Sequence, residues 1–274
     1  MLTGGMKKKL LSLLRDDVGK GDVTSAATPL KKCGAKIFAR EAGIVAGLEE
    51  ARFLFSHKGV RAKALAKDGS KARRGETILS LSGSNRAIFS VERTALNVLG
   101  RMSEVASTCA EARKLAGPNV KLALTRKTMP GFNLFDKKAA AIAGIWPHRV
   151  NLNSFVLLKE NHLAFFDSPF DAVKAAKKKY GGKTKVEVEV ENILDAFNAA
   201  RANPDIIMLD NFSPKKAVSG VKALRNVFNG KIELSGGIAL KNLRAFARAK
   251  PDIISMGSLT YSTSWRDFSL LVEK

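Results

Sequence analysis

Cysteine is nearly absent: the 274 residues include two, Cys33 and Cys109. Two such residues make no disulfide framework, and no Cys/His group has the spacing of a zinc ligand set. A reducing, cytoplasmic setting is the expectation. Long apolar runs are missing as well. The opening "MLTGGMKKKLLSLLRDDVG" sets lysines before leucines as a signal peptide does, but its apolar core is short and runs into Arg15, Asp16 and Asp17. An amphipathic helix is expected there, and no stretch approaches the ~20 residues of a membrane span. Aromatic residues make up 7% and do not interleave with basic ones, so no base-stacking surface is apparent. Acids are scarce, 25 against 47 Lys plus Arg, for a net charge of +22. Such a field attracts polyanions. However, the lysines are spread over "KKK" (7–9), "KAAKKK" (174–179) and "SPKKAVSGVKALR" (213–225) instead of forming one arm. That distribution argues against a nucleic-acid partner and fits a strongly anionic small substrate or a generally basic proteome equally well.

What is present suggests two zones. From about residue 118, the short apolar runs "VKLALT", "FVLLK", "KVEVEV", "DIIMLD", "KIELSG" and "DIISMG" alternate with helical patterns at 192–202, 215–229 and 240–249. Strand–helix alternation predicts βαβ units on a parallel sheet. Six strands are slightly few for a complete eight-stranded barrel. The first 110 residues read instead as short antiparallel strands plus helices. The expected fold is α/β: an incomplete, six- or seven-stranded α/β barrel over 111–274, with an N-terminal α+β sandwich domain over 1–110 that the C-terminal tail joins.

Polar residues gather where these strands end. "NVKLAL" stops at Thr125-Arg126-Lys127-Thr128 before Pro130 and Gly131, which forbid simple continuation of strand or helix. Two cations between two hydroxyls at a strand's carboxyl end suit an anion clamp. "ELSGGI" (233–238) and "ISMGSLTYS" (254–262) end the last two strands, where Gly lets backbone N–H groups approach phosphate oxygens. In "KVEVEV", alternation turns Glu187 and Glu189 to one face, and Asp210 ends the next strand. Carboxylates there suit Mg²⁺, a positive transition state, or a structural pair with lysine. His148 and Arg149 in "WPHRVNL", and Lys159 and His162 in "LLKENH", add further polar strand ends. Arg126, Lys127, Arg149 and Lys159 in one mouth would repel one another unless a multiply charged ligand sat among them.

Taken in order, "DDVGKGDVTS", "SVERTALNVLGRMS", "TRKTMPGFN", "HRVNL", "LLKENH", "VEVEV", "MLDNFSP", "ELSGGI" and "ISMGSLTYS" resemble the quinolinate phosphoribosyltransferase family over about residues 10 to 272. The resemblance implies phosphoribosyl transfer from 5-phosphoribosyl 1-diphosphate to quinolinate, with decarboxylation, as part of NAD biosynthesis. It implies a homodimer in which Arg93 reaches the adjacent subunit's site. Arg126, Arg149 and Lys159 would bind the quinolinate carboxylates with His148 nearby, and Lys127 would bridge the two substrates. Glu189 and Asp210 would sit by the ribose and Mg²⁺. Ser235, Gly236, Gly237, Gly257 and Ser258 would cradle the 5′-phosphate. Lys127, Lys159, Glu189 and Asp210 are the expected catalytic set.

Some positions depart from the family pattern. Ile145-Trp146-Pro147 stand in a usually glycine-rich stretch, Asn151 and Ser154 where Gly and Asp are usual, Asn133 for Arg, Glu160 for Asp and Tyr261 for His. None removes a cationic anchor, but each bears on pocket shape and hence on the acceptor. A phosphoribosyltransferase for another carboxylated ring, such as nicotinate, is therefore the alternative within the enzyme class, and a basic nucleic-acid-binding protein the alternative outside it.

Overall fold

Thr3 starts the first helix, α1 (Gly4–Val18), by accepting a hydrogen bond from the Met6 N–H, and Gly19 at φ 54° ends it. Met6, Leu10 and Leu14 recur every four residues and are its buried stripe, as expected of an amphipathic helix. The structure is a computed structural model describing residues 1–273. The chain continues through α2 (Val23–Ala26), β1 (Lys32–Ala39), β2 (Gly43–Ile44), α3 (Leu48–His57), β3 (Arg61–Ala64), β4 (Lys71–Ala72) and β5 (Thr77–Ser84) to the long α4 (Asn85–Ala116). There follow β6 (Lys121–Leu124), α5 (Asn133–Ile142), β7 (Val156–Leu158), α6 (Glu160–Leu163), α7 (Pro169–Tyr180) and β8 (Val186–Val190). The last stretch comprises α8 (Ile193–Ala200), β9 (Ile206–Asp210), α9 (Pro214–Arg225), β10 (Lys231–Ser235), α10 (Leu240–Ala247), β11 (Ile253–Met256), α11 (Ser258–Tyr261) and β12 (Phe268–Glu273).

Contacts divide the chain into two units. The first takes residues 1–110, 129–144 and 263 onward; the second takes 111–128 and 145–262. A composition-based cut at residue 110 coincides with the end of the first segment but takes no account of the excursion 129–144. The first unit carries an antiparallel sheet in the order β12-β1-β5-β3. Alternation along β1 buries Ala35, Ile37 and Ala39, and α3 buries Leu48, Ala51, Leu54 and Phe55. Ion pairs hold α5 within this unit. Arg101 meets Asp136 through two parallel hydrogen bonds of 2.9 and 3.0 Å, and Lys138 meets Glu49 and the fully buried Glu50 at 2.6 and 2.7 Å.

The second unit carries all six expected parallel strands in the order β6-β11-β10-β9-β8-β7. Their near-continuous burial, as in Ile206–Leu209, is what a sheet covered on both faces requires. Ser168, Asn192 and Ser213 cap α7, α8 and α9, with Pro169 and Pro214 supplying preset φ at the first helical turn. The edges β6 and β7 do not pair, so the barrel is incomplete. A vestige of a seventh strand is one parallel bridge between Ala123 and Trp146. Among the described residues no helix is long and apolar enough to cross a membrane.

Candidate active site

Residues opposite one another in register share a face of the sheet. Pairing of Glu189 with Met208 and of Asp210 with Ser235 puts these side chains on one side, together with Glu187 and Glu233. Upper positions on that face line a pocket of ≈ 270 Å³ at the strands' carboxyl ends. Thr125, Arg126 and Lys127 line it from the loop after β6, a tight turn. The Thr125 Oγ1 accepts from the Lys127 N–H at 3.1 Å, and the Thr260 Oγ1 donates to the Lys127 carbonyl at 2.7 Å. Lys159 caps α6 and sends its Nζ to Glu189 Oε2 at 2.6 Å. His162 is a structural partner there, its Nδ1 accepting from the Lys159 N–H at 3.1 Å.

The acids are strained electrostatically. Burial raises the Glu189 pKa; Lys159 opposes this, while the charge of Asp210 adds to it. Asp210 is held by a 2.7 Å hydrogen bond from Asn211 Nδ2. Arg149 is 9% exposed, and burial lowers its pKa, with the Arg126 charge acting the same way. Opposite lies the glycine loop, with Gly236 and Gly237 at φ 86° and 62°. A Cβ on Gly236 would stand 2.4 Å from the Asn211 N, so only glycine fits.

Just below, His148 sits with its Nε2 3.2 Å from Glu187 and 3.3 Å from Glu233, both carboxylates fully buried. Burial favours the neutral imidazole, but the two carboxylates outweigh it and push the His148 pKa up to about 9. Trp146 and Phe155 flank this ring at centroid distances of 4.6 and 5.1 Å.

A family model described as quinolinate phosphoribosyl transferase, C-terminal domain, matches residues 105–271, and the model for the N-terminal domain matches 22–103. The chain belongs to the quinolinate phosphoribosyl transferase family. Among similar members is a probable carboxylating nicotinate-nucleotide pyrophosphorylase of Archaeoglobus fulgidus. It is 38% identical over 258 residues, which cover 92% of this chain and 98% of the relative. The carboxylating nicotinate-nucleotide pyrophosphorylase of Homo sapiens is 34% identical, over 94% of this chain and 89% of its own. A solved nicotinate-nucleotide pyrophosphorylase from Francisella tularensis superposes with a TM-score of 0.93 at 32% identity, covering 100% of this chain and 98% of that one. These matches speak for the transferase reading and give the nucleic-acid alternative no support.

Within this family frame, most of the residues singled out from sequence come together. Arg126, Lys127, His148, Arg149, Lys159, Glu189, Asp210, Ser235, Gly236, Gly237 and Gly257 all line the pocket. Two do not. Ser258 stands behind the lining and donates its hydroxyl to the Ile238 carbonyl at 2.8 Å, while Arg93 is exposed on α4 in the first unit. Trp146 neither narrows the pocket nor faces it, but packs beneath on Ala123, Ile206 and Ile253. Glu233 and Ser255 escaped notice. Alternation in "KIELS" puts Glu233 on the face of Ser235, a signal that was readable, whereas nothing local marks Ser255.

Proposed function

We propose that this chain transfers the phosphoribosyl group of 5-phosphoribosyl 1-diphosphate to the ring nitrogen of quinolinate, releasing diphosphate and CO₂ and leaving nicotinate mononucleotide. The observation that carries this reading is one pocket that joins four cations, two carboxylates and a glycine loop. Arg126, Arg149 and Lys159 suit the two carboxylates of the acceptor, each site cation relieving its repulsion by the others when an anion enters. Lys127, whose backbone is tied to Thr125 and Thr260, bridges acceptor and diphosphate. The Ser235–Gly237 loop approaches the 5′-phosphate through backbone N–H groups.

The oxygen donors of Glu189 and Asp210 fit Mg²⁺: two hard carboxylates, with burial and the charge of Asp210 both raising the Glu189 pKa. Bound there, Mg²⁺ would offset charge on the departing diphosphate. The same carboxylates favour the oxocarbenium-like ribose as that bond breaks. Lys159 Nζ donates to Glu189 Oε2, so this pair opens when the acceptor's carboxylate takes the lysine. Ribosylation leaves the ring nitrogen cationic; as CO₂ leaves the adjacent carbon, the electron pair of the broken bond stays on that carbon, stabilised by the neighbouring positive charge, and a proton from solvent then takes the carboxylate's place. Arg93, exposed on its own unit, suits a homodimer in which it completes the adjacent subunit's site. The two thiols suit a reducing, cytoplasmic setting.

Mass spectrometry of products tests the reading, using purified protein, Mg²⁺ and phosphoribosyl diphosphate with quinolinate or nicotinate in separate reactions. Nicotinate mononucleotide from quinolinate alone, abolished by Lys127→Ala, is the expected result. Product from nicotinate alone would keep the phosphoribosyl site and overturn the acceptor.

A further inference from the structure

Glu187 and Glu233 pose a problem that substrate binding does not solve. Both are fully buried, and all four of their carboxylate oxygens lack a hydrogen-bond partner. Two carboxylates in that state are costly unless a cation compensates them. The group at ion-pair distance from both is the His148 Nε2, arriving from the segment before β7 between one acid on β8 and one on β10. Arg149, the next residue, also feels the charge of Glu187.

Three further observations concern how this imidazole is held. The His148 backbone takes φ 54°, a left-handed conformation that residues other than glycine seldom adopt. The rings of Trp146 and Phe155 lie against it, an environment that suits a cation. With Nε2 directed at the two acids, Nδ1 is the nitrogen left for a ligand, and His148 lines the pocket.

We propose that Glu187 and Glu233 are positioning residues which hold His148 as a fixed imidazolium, so that its Nδ1–H meets a carboxylate of the acceptor ring. The inference rests on the reading that the pocket accepts an aromatic dicarboxylate. It assigns to two buried acids, neither of which touches substrate, part of the pocket's affinity for that acceptor. The ring is charged before substrate arrives, so no proton need be recruited on binding.

The test uses the full chain and two readouts. Imidazole ¹⁵N spectra at pH ~8, above the ordinary histidine range, report the charge of each of the three histidines, with His57→Gln and His162→Gln assigning the signals. Steady-state kinetics report KM for each substrate separately. The expected result is a doubly protonated His148 ring in the wild type, which becomes neutral in Glu233→Gln. The KM for quinolinate then rises about tenfold, the loss of one charge-assisted hydrogen bond, while the KM for phosphoribosyl diphosphate stays level and Glu233→Asp recovers part of the loss. A neutral His148 in the wild type would overturn the inference. So would equal changes in both KM values, or a stoichiometric metal ion bound to His148, Glu187 and Glu233 in the purified protein. If Glu233→Gln does not fold, the wild-type spectrum and Glu187→Gln still decide. Failure of the wild type to use quinolinate would instead sink the proposed function, and the spectrum would still read the buried arrangement.

Discussion

Arg101 and Asp136 in the first unit are as deeply buried as His148, Glu187 and Glu233 in the second, yet the two groups differ in how their charge is met. Asp136 receives both arms of the Arg101 guanidinium and the Met129 N–H at 3.1 Å, and Arg101 donates its remaining arm to Thr263 Oγ1 at 2.9 Å. Glu187 and Glu233 have one shared cation and no hydrogen-bond partner. Fully satisfied ions hold α5 to its unit. Under-satisfied ions sit beside the pocket's lining, and they are tolerated because the surrounding sheet holds them in place.

The sharpest way to break this contrast is Asp136→Ala. It strands a buried guanidinium, so a loss of about 3–5 kcal/mol in urea unfolding is expected; a loss below ~1 kcal/mol would remove the structural half of the comparison. Arg149→Ala probes the functional half. Activity should fall about 10²–10³-fold in kcat/KM, while the unfolding free energy holds or rises, because the cost of burying this guanidinium, which Glu187 offsets in part and Arg126 adds to, has gone. A stability loss as large as that of Asp136→Ala would show that Arg149 serves the fold.

A subtler separation comes from pH. The folded-state pKa of His148 lies above its unfolded value, so the folded protein binds the proton more tightly. That stabilisation is complete below pH 6.5 and is lost as pH rises toward about 9. Unfolding free energy should fall across this window in the wild type, with a shallower fall in His148→Gln. Identical slopes in the two proteins would remove His148 from the account. The smallest effect is expected from Trp146→Phe, at about 1–2 kcal/mol of stability and a quinolinate KM within about twofold of wild type, since Trp146 forms the floor and not the lining. A large KM change would place it in the acceptor's contacts.

Much of the second unit could be read from sequence because its signals are local. Short apolar runs alternating with helical patterns marked β6 to β11, and Pro130 and Gly131 after β6 and the glycines after β10 and β11 marked where the chain turns. The anion-binding groups sit at those turns, so Arg126, Lys127 and the Ser235–Gly237 loop were legible in the order of residues alone. The excursion 129–144 was not. Asp136 and Lys138 look like solvent-facing charges on an amphipathic helix, and their partners lie 35 and 88 residues away. Ser258 and Trp146 fall in the same class. Their neighbourhoods looked functional, but a hydroxyl bond to Ile238 and packing on Ala123 turned them to supporting tasks.

The sequence by itself determined the alternation of strand and helix, the strand-end position of the cations and acids, and the demand for an anionic ligand. These follow from periodicity and from charge, which are properties of neighbours along the chain. Only the tertiary structure decided which buried charges are satisfied. Whether an oxygen finds a donor depends on register and barrel curvature, which bring Glu187, Glu233 and His148 from three separate segments to within 4.8 Å of one another.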